Sequence, residues 1–139
     1  MPIINQKIRV LVVDDSMVAR SMIMQGLSTH PRIEIIGCAI NTMDAKAKIA
    51  ALKPDVVTMD VEMPGKSGPD FLRESIPQHP FPVILVPSLT LRVFDALDAG
   101  AVDFIQNPQN HGERDAFIPA LAQKVLVAPT AKVRMARPA

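Results

Sequence analysis

The chain has 139 residues, 48% hydrophobic and 21% charged, with a formal net charge of +1. That length suits one domain with a core of its own, and the mix excludes wholesale disorder and any general pull toward nucleic acid or membrane. Cys38 is the single cysteine, which excludes an internal disulfide framework and fits a reducing, cytoplasmic setting.

Short apolar runs alternate with helical stretches along the chain. The first run is Val10-Leu11-Val12-Val13. Ser16 then caps a helix to about Ser28, with Val18, Met22, Ile23 and Leu27 expected to face inward. A weaker run, Ile33-Glu34-Ile35-Ile36, predicts a second strand ending near Gly37. Asn41 and Asp44 form a capping pair for a helix that stops before Pro54. Val56-Val57-Thr58-Met59 is the third strand, and a helix from Pro69 or Asp70 to about Ile76 follows. Val83-Ile84-Leu85-Val86 is the fourth, followed by a short helix from Leu91 to Ala99 that ends at Gly100. Val102-Asp103-Phe104-Ile105 is the fifth. The last helix lies between Glu113 and Val127, and Pro119 should kink it or start it. Continuous β-branched runs belong to strands covered on both faces. The pattern therefore predicts a doubly wound α/β fold with a five-stranded parallel sheet in the order 2-1-3-4-5.

Asp14 and Asp15 directly follow the first strand, and Asp60 directly follows the third. In that order these strands are neighbours at the switch point, where ligands bind. Three converging carboxylates repel unless a cation neutralises them, and hard oxygens suit Mg²⁺. Strand-end aspartates that merely cap helices are the plainer alternative. A carboxylate beside a hard cation is also a nucleophile toward phosphorus.

The segments Ile8-Arg9-Val10-Leu11-Val12-Val13-Asp14-Asp15-Ser16, Pro54-Asp55-Val56-Val57-Thr58-Met59-Asp60-Val61-Glu62-Met63-Pro64 and Gly100-Ala101-Val102-Asp103-Phe104-Ile105 resemble a response-regulator receiver domain. Glu62-Met63-Pro64, Ser88-Leu89-Thr90 and Ala101-Val102-Asp103-Phe104 are most similar to the receiver of chemotaxis protein-glutamate methylesterases (CheB-type). The resemblance covers roughly residues 7–126 and implies a flavodoxin-like, CheY-like fold, with the receiver domain expected over 1–126 and a linker stub or disordered C-terminal tail over 127–139. It implies Asp60 as phosphoacceptor, and Mg²⁺ held by Asp14, Asp15, Asp60 and the backbone carbonyl of Glu62. Its implied partners are a histidine kinase and an effector domain or protein. No methylesterase sequence follows, so no enzymatic activity is expected beyond self-phosphorylation.

Three departures bear on function. Asn107 stands before Pro108 where the family has a lysine, and that peptide bond is expected to be cis. Pro87 stands at the family's switch serine or threonine, leaving Ser88 as a stand-in for the phosphoryl contact. The stretch from Thr90 to Gly100 is about one helical turn short. Two readings stay open: a phosphorylated receiver with a weakened or altered switch, and a pseudo-receiver acting as a phosphorylation-independent interaction module.

Other motifs carry less. Gly65-Lys66-Ser67 lacks the upstream glycine of a P-loop. Lys66 reads as a solvated loop residue, and His30, His79 and His111 as surface residues. The tail 127–139 has Lys132, Arg134 and Arg137 and no acid, too few charges for a nucleic-acid arm.

Overall fold

The computed structural model describes residues 7–61, 63, 67–78, 80–87, 93–108 and 111–130. Five strands, β1 (Ile8–Val13), β2 (Ile33–Ala39), β3 (Val56–Met59), β4 (Val83–Leu85) and β5 (Asp103–Phe104), alternate with five helices. The helices are α1 (Met17–Ser28), α2 (Thr42–Leu52), α3 (Gly68–Ser75), α4 (Val93–Asp98) and α5 (His111–Val127). The sheet order is β2-β1-β3-β4-β5, and every pairing is parallel.

The unbroken apolar runs are explained by two cores. Leu11, Val13, Val57, Met59, Val83 and Leu85 join one cluster with residues of α2, α3 and α4. Val10, Val12, Val56, Ile84 and Val86 join the other, with residues of α1 and α5. Alternate residues of one strand thus serve opposite faces, and neither face is left to water.

Local signals set the helix starts. The Ser16 hydroxyl accepts from the Ala19 N–H at 3.2 Å, and the Asn41 side chain accepts from the Asp44 N–H at 2.8 Å. Ser67 caps α3, with Pro69 in its first turn. Gly100 closes the segment after α4 at φ 125°, a conformation that favours glycine. At the other end of α2, Lys53 adopts a left-handed φ of 49°. The Arg9 guanidinium donates to the Leu52 and Lys53 carbonyls at 2.8 and 2.9 Å. The Arg9 N–H also donates to the Asp55 carboxylate at 2.9 Å, so one residue of β1 fastens the α2–β3 turn.

Several expectations are corrected. Val18 is 79% exposed; the buried stripe of α1 is Ala19, Ile23 and Leu27, spaced by four, and Val18 falls beside it. β2 runs past Gly37 to Ala39 because the register shifts between Val10 and Leu11, which re-pairs Gly37 with Leu11. The fourth and fifth strands end one residue early, yet Val86 and Ile105 still donate to the Met59 and Leu85 carbonyls. α5 runs through Pro119 rather than starting there. Pro119 and Asp115 are exposed, so water can take the place of the missing N–H. No cis peptide occurs among the described residues, so the Asn107–Pro108 bond is trans. The Asn107 N–H donates to the Pro87 carbonyl at 2.8 Å and ties that loop down in this form. Ala128 is buried, so packing reaches beyond residue 126. Leu91, at the expected start of α4, lies outside the described residues, as does the tail beyond Thr130.

Candidate functional site

Val13 of β1 and Met59 of β3 are paired in register, so the next residues, Asp14 and Asp60, leave the sheet side by side. The ladder continues into both. The Asp60 N–H donates to the Val13 carbonyl at 3.2 Å, and the Asp14 N–H to the Ala39 carbonyl at 3.0 Å. Asp14 and Asp60 are buried, while Asp15 is exposed. One carboxylate oxygen from each of the three lies within 4.8 Å of the others.

The turn into α1 holds the first two acids. The Asp14 carboxylate accepts from the Ser16 N–H at 2.9 Å, and Ser16 in turn caps the helix. Arg20, one turn into α1, donates from its guanidinium to the Asp14 carbonyl at 3.0 Å. Burial pushes the Asp14 carboxyl above its ordinary range, and the Asp15 charge adds to this. The Ser16 N–H and the Arg20 charge oppose it. Arg20 belongs to no motif of the sequence. Its signal is the basic residue six positions after the first acid, on the helix that the acid pair opens.

The donor set is three carboxylates with hard oxygens and an open side at Asp15. It fits a small divalent cation such as Mg²⁺, which keeps part of its water shell. Pro87 is buried, with its carbonyl engaged by Asn107; Asn107 is half-buried. Glu62 and Ser88, the other expected contributors, lie outside the described residues, as do Lys66 and His79. Cys38 packs partly buried against the α1–α5 core, as a small apolar residue would.

Residues 10–116 match the model of the response regulator receiver domain. The chain belongs to the response-regulator receiver family. The receiver is 47% identical over 134 residues to a protein-glutamate methylesterase/protein-glutamine glutaminase of Syntrophotalea carbinolica, covering 92% of this chain and 38% of that protein. It is therefore similar to the receiver-sized part of a protein more than twice as long. Among solved structures, it resembles the response regulator domain of Thermotoga maritima CheB, with a TM-score of 0.84, 36% identity, and coverage of 91% of this chain and 99% of that one. It also resembles the CheX-CheY-BeF3-Mg+2 complex from Borrelia burgdorferi, with a TM-score of 0.72, 25% identity and coverage of 91% and 92%. The CheB-type motifs and the CheY-like fold expected from the sequence are both present. No helix of the described residues is long and apolar enough to cross a membrane.

Proposed function

We propose that this receiver takes a phosphoryl group onto Asp60 from the phosphohistidine of a histidine kinase. The observation that carries this is the convergence of Asp14, Asp15 and Asp60 on one ion-sized space. A Mg²⁺ ion held by Asp14, Asp15, Asp60 and the Glu62 carbonyl would neutralise phosphoryl oxygens in that space. Asp60 supplies the nucleophile. Its carboxylate oxygen bonds to phosphorus as the phosphorus–nitrogen bond to the donor imidazole breaks, and the imidazole keeps the electron pair and takes a proton. Asp14, fixed by Ser16 and Arg20, and the more exposed Asp15 orient the site without reacting. In this reading the Ser88 hydroxyl contacts the phosphoryl oxygens in place of the family's switch hydroxyl. The Borrelia relative, whose name includes BeF3 and Mg²⁺, supports the assignment by analogy.

Met17 and Val18 of α1 and Ile40 and Met43 around the start of α2 are exposed apolar residues just after β1 and β2, and they suit contact with the donor. Phe94 of α4 and Phe104 of β5 are also exposed apolar side chains, of a kind that suits an effector. Residues beyond Thr130 serve as a linker in this reading.

A second reading is favoured by the Pro87–Asn107 pair. Proline brings no hydroxyl, asparagine no charge, and their backbones are bonded to each other. The chain would then act as an interaction module whether or not Asp60 is modified. Incubation with acetyl phosphate and Mg²⁺, followed by intact-mass measurement, separates the two. One added phosphoryl group, lost in Asp60→Asn and in Asp15→Asn, is expected. Asp15→Asn should also abolish the Mg²⁺ binding seen by calorimetry. An unmodified wild-type chain leaves the second reading in place.

A further inference from the structure

Asp14, Thr42, Thr58 and Asp60 are the buried polar side chains among the described residues. Thr42 opens α2 beside its cap. The other three belong together. Thr58 sits on β3 between Val12 of β1 and Ile84 of β4. It lies one pleat repeat before Asp60 and so shares its face of the sheet, as Val12 does with Asp14. Thr58 is 1% exposed, and its hydroxyl has no hydrogen-bond partner among the described residues.

The rest of that face is hydrocarbon. Val10, Val12, Val56, Ile84 and Val86 line the sheet, under the apolar residues of α1 and α5. Burying an unpartnered hydroxyl is unfavourable, and valine fills the same volume without one. The buried carboxylates of Asp60 and Asp14 stand one repeat further along the two paired strands, on the same face. Two residues of a strand span ~6.6 Å. That backbone spacing is too long for a direct bond between side chains standing straight out from the strand. One water bonded at ~2.8 Å on each side bridges oxygens up to ~5.6 Å apart, so a lean of about 1 Å of the two side chains toward each other lets one water join them.

We infer that Thr58 is a positioning residue for the acidic cluster: its hydroxyl holds one internal water beneath Asp60, and that water fixes the Asp60 carboxylate. The hydroxyl donates to the water oxygen, and the water donates its two hydrogens to Asp60 and Asp14. Ionised carboxylates only accept, so this arrangement satisfies every group with the ~3 bonds usual for a buried water. The inference rests on the phosphoacceptor reading of Asp60.

The test compares wild type, Thr58→Val and Thr58→Ser in the whole chain. Calorimetry gives the Mg²⁺ affinity, and intact mass gives the rate of modification by acetyl phosphate. Thr58→Val is expected to fold, to bind Mg²⁺ on the order of tenfold more weakly, and to be modified more slowly. Thr58→Ser keeps the hydroxyl and is expected to stay within about twofold of wild type on both readouts. A Thr58→Val chain with wild-type affinity and rate overturns the inference. A high-resolution crystal structure of the wild type decides it independently. Density for a water between Thr58 and Asp60 supports it, and continuous apolar packing there overturns it. If the wild type takes up neither Mg²⁺ nor phosphoryl group, the phosphoacceptor reading falls, and the crystal structure alone decides the place of the water.

Discussion

Asp14 shows how a residue of the acidic cluster works against the fold that carries it. Its carboxyl is buried and has Asp15 as a neighbour, and both effects favour the protonated form. The folded, metal-free protein therefore holds that proton more tightly than the unfolded chain does. Below about pH 3.8, the unshifted value, both states are protonated and nothing is lost. As the pH rises past it, the unfolded state ionises first, and stability falls until the folded group titrates too. Asp14→Asn is thus expected to raise the melting temperature in chelator at neutral pH, with a gain that shrinks toward pH ~3. A gain of equal size at both pH values would place its cause outside this ionisation. Added Mg²⁺ should reverse the order, because wild type alone keeps the full ligand set.

Among the elements, two fixings lie far from the acids. Lys53 holds a left-handed φ that disfavours a side chain by ~1–2 kcal/mol, and Arg9 secures the carbonyls on either side of that bend. Arg9→Met should destabilise by about 1–3 kcal/mol in denaturant titration, whereas Lys53→Gly should be neutral or stabilising. Gly26 in α1 faces Ile118 of α5 so closely that an added Cβ would lie 2.5 Å from the Ile118 Cδ1. Helix propensity alone would make Gly26→Ala a gain of ~1 kcal/mol. The overlap is expected to reverse the sign to a loss of roughly 1–3 kcal/mol, recovered in part by adding Ile118→Val. These contacts also show what the sequence can and cannot disclose. Ser16 and Asn41 announced their helices because a cap is a bond between residues three apart. The continuous runs announced a two-sided sheet because burial acts on each residue alone. Val18 was misplaced because an apolar residue in a first helical turn can point past the sheet. The extension of β2 depended on a register shift against β1, which no local pattern encodes.

For the whole molecule, the convergence of the acid doublet and Asp60 was legible because strand order alone brings them together. The bond between Asn107 and Pro87 was not, since a backbone contact across two loops leaves no trace in residue type. That contact sets the expectation for signalling. A ligand moves a two-state equilibrium only by its different affinity for the two states. In the weakened-switch reading, the charge and the hydroxyl absent at Asn107 and Pro87 each remove roughly 1–3 kcal/mol, about the whole of a usual coupling energy. Beryllofluoride with Mg²⁺ should shift amide resonances around Asp60 and leave Val93–Asp98 nearly unmoved. Shifts spreading through α4 would contradict this. In Pro87→Thr with Asn107→Lys, restored spreading would assign the silence to those two positions rather than to the shortened stretch before Gly100.

The middle place of β1 has a consequence for how the chain is made. β1 is synthesised first, yet it lies between β2 and β3. At ~5–20 residues per second, β3 leaves the ribosome some seconds after β1. During that interval one edge of an almost wholly apolar strand has no partner of its own chain. The growing polypeptide is therefore most prone to sticking to its neighbours before Val56 emerges, and shielding by a chaperone would matter most then. A stalled translation product ending near Lys53 should precipitate, where one released after β3 and its covering helices should not.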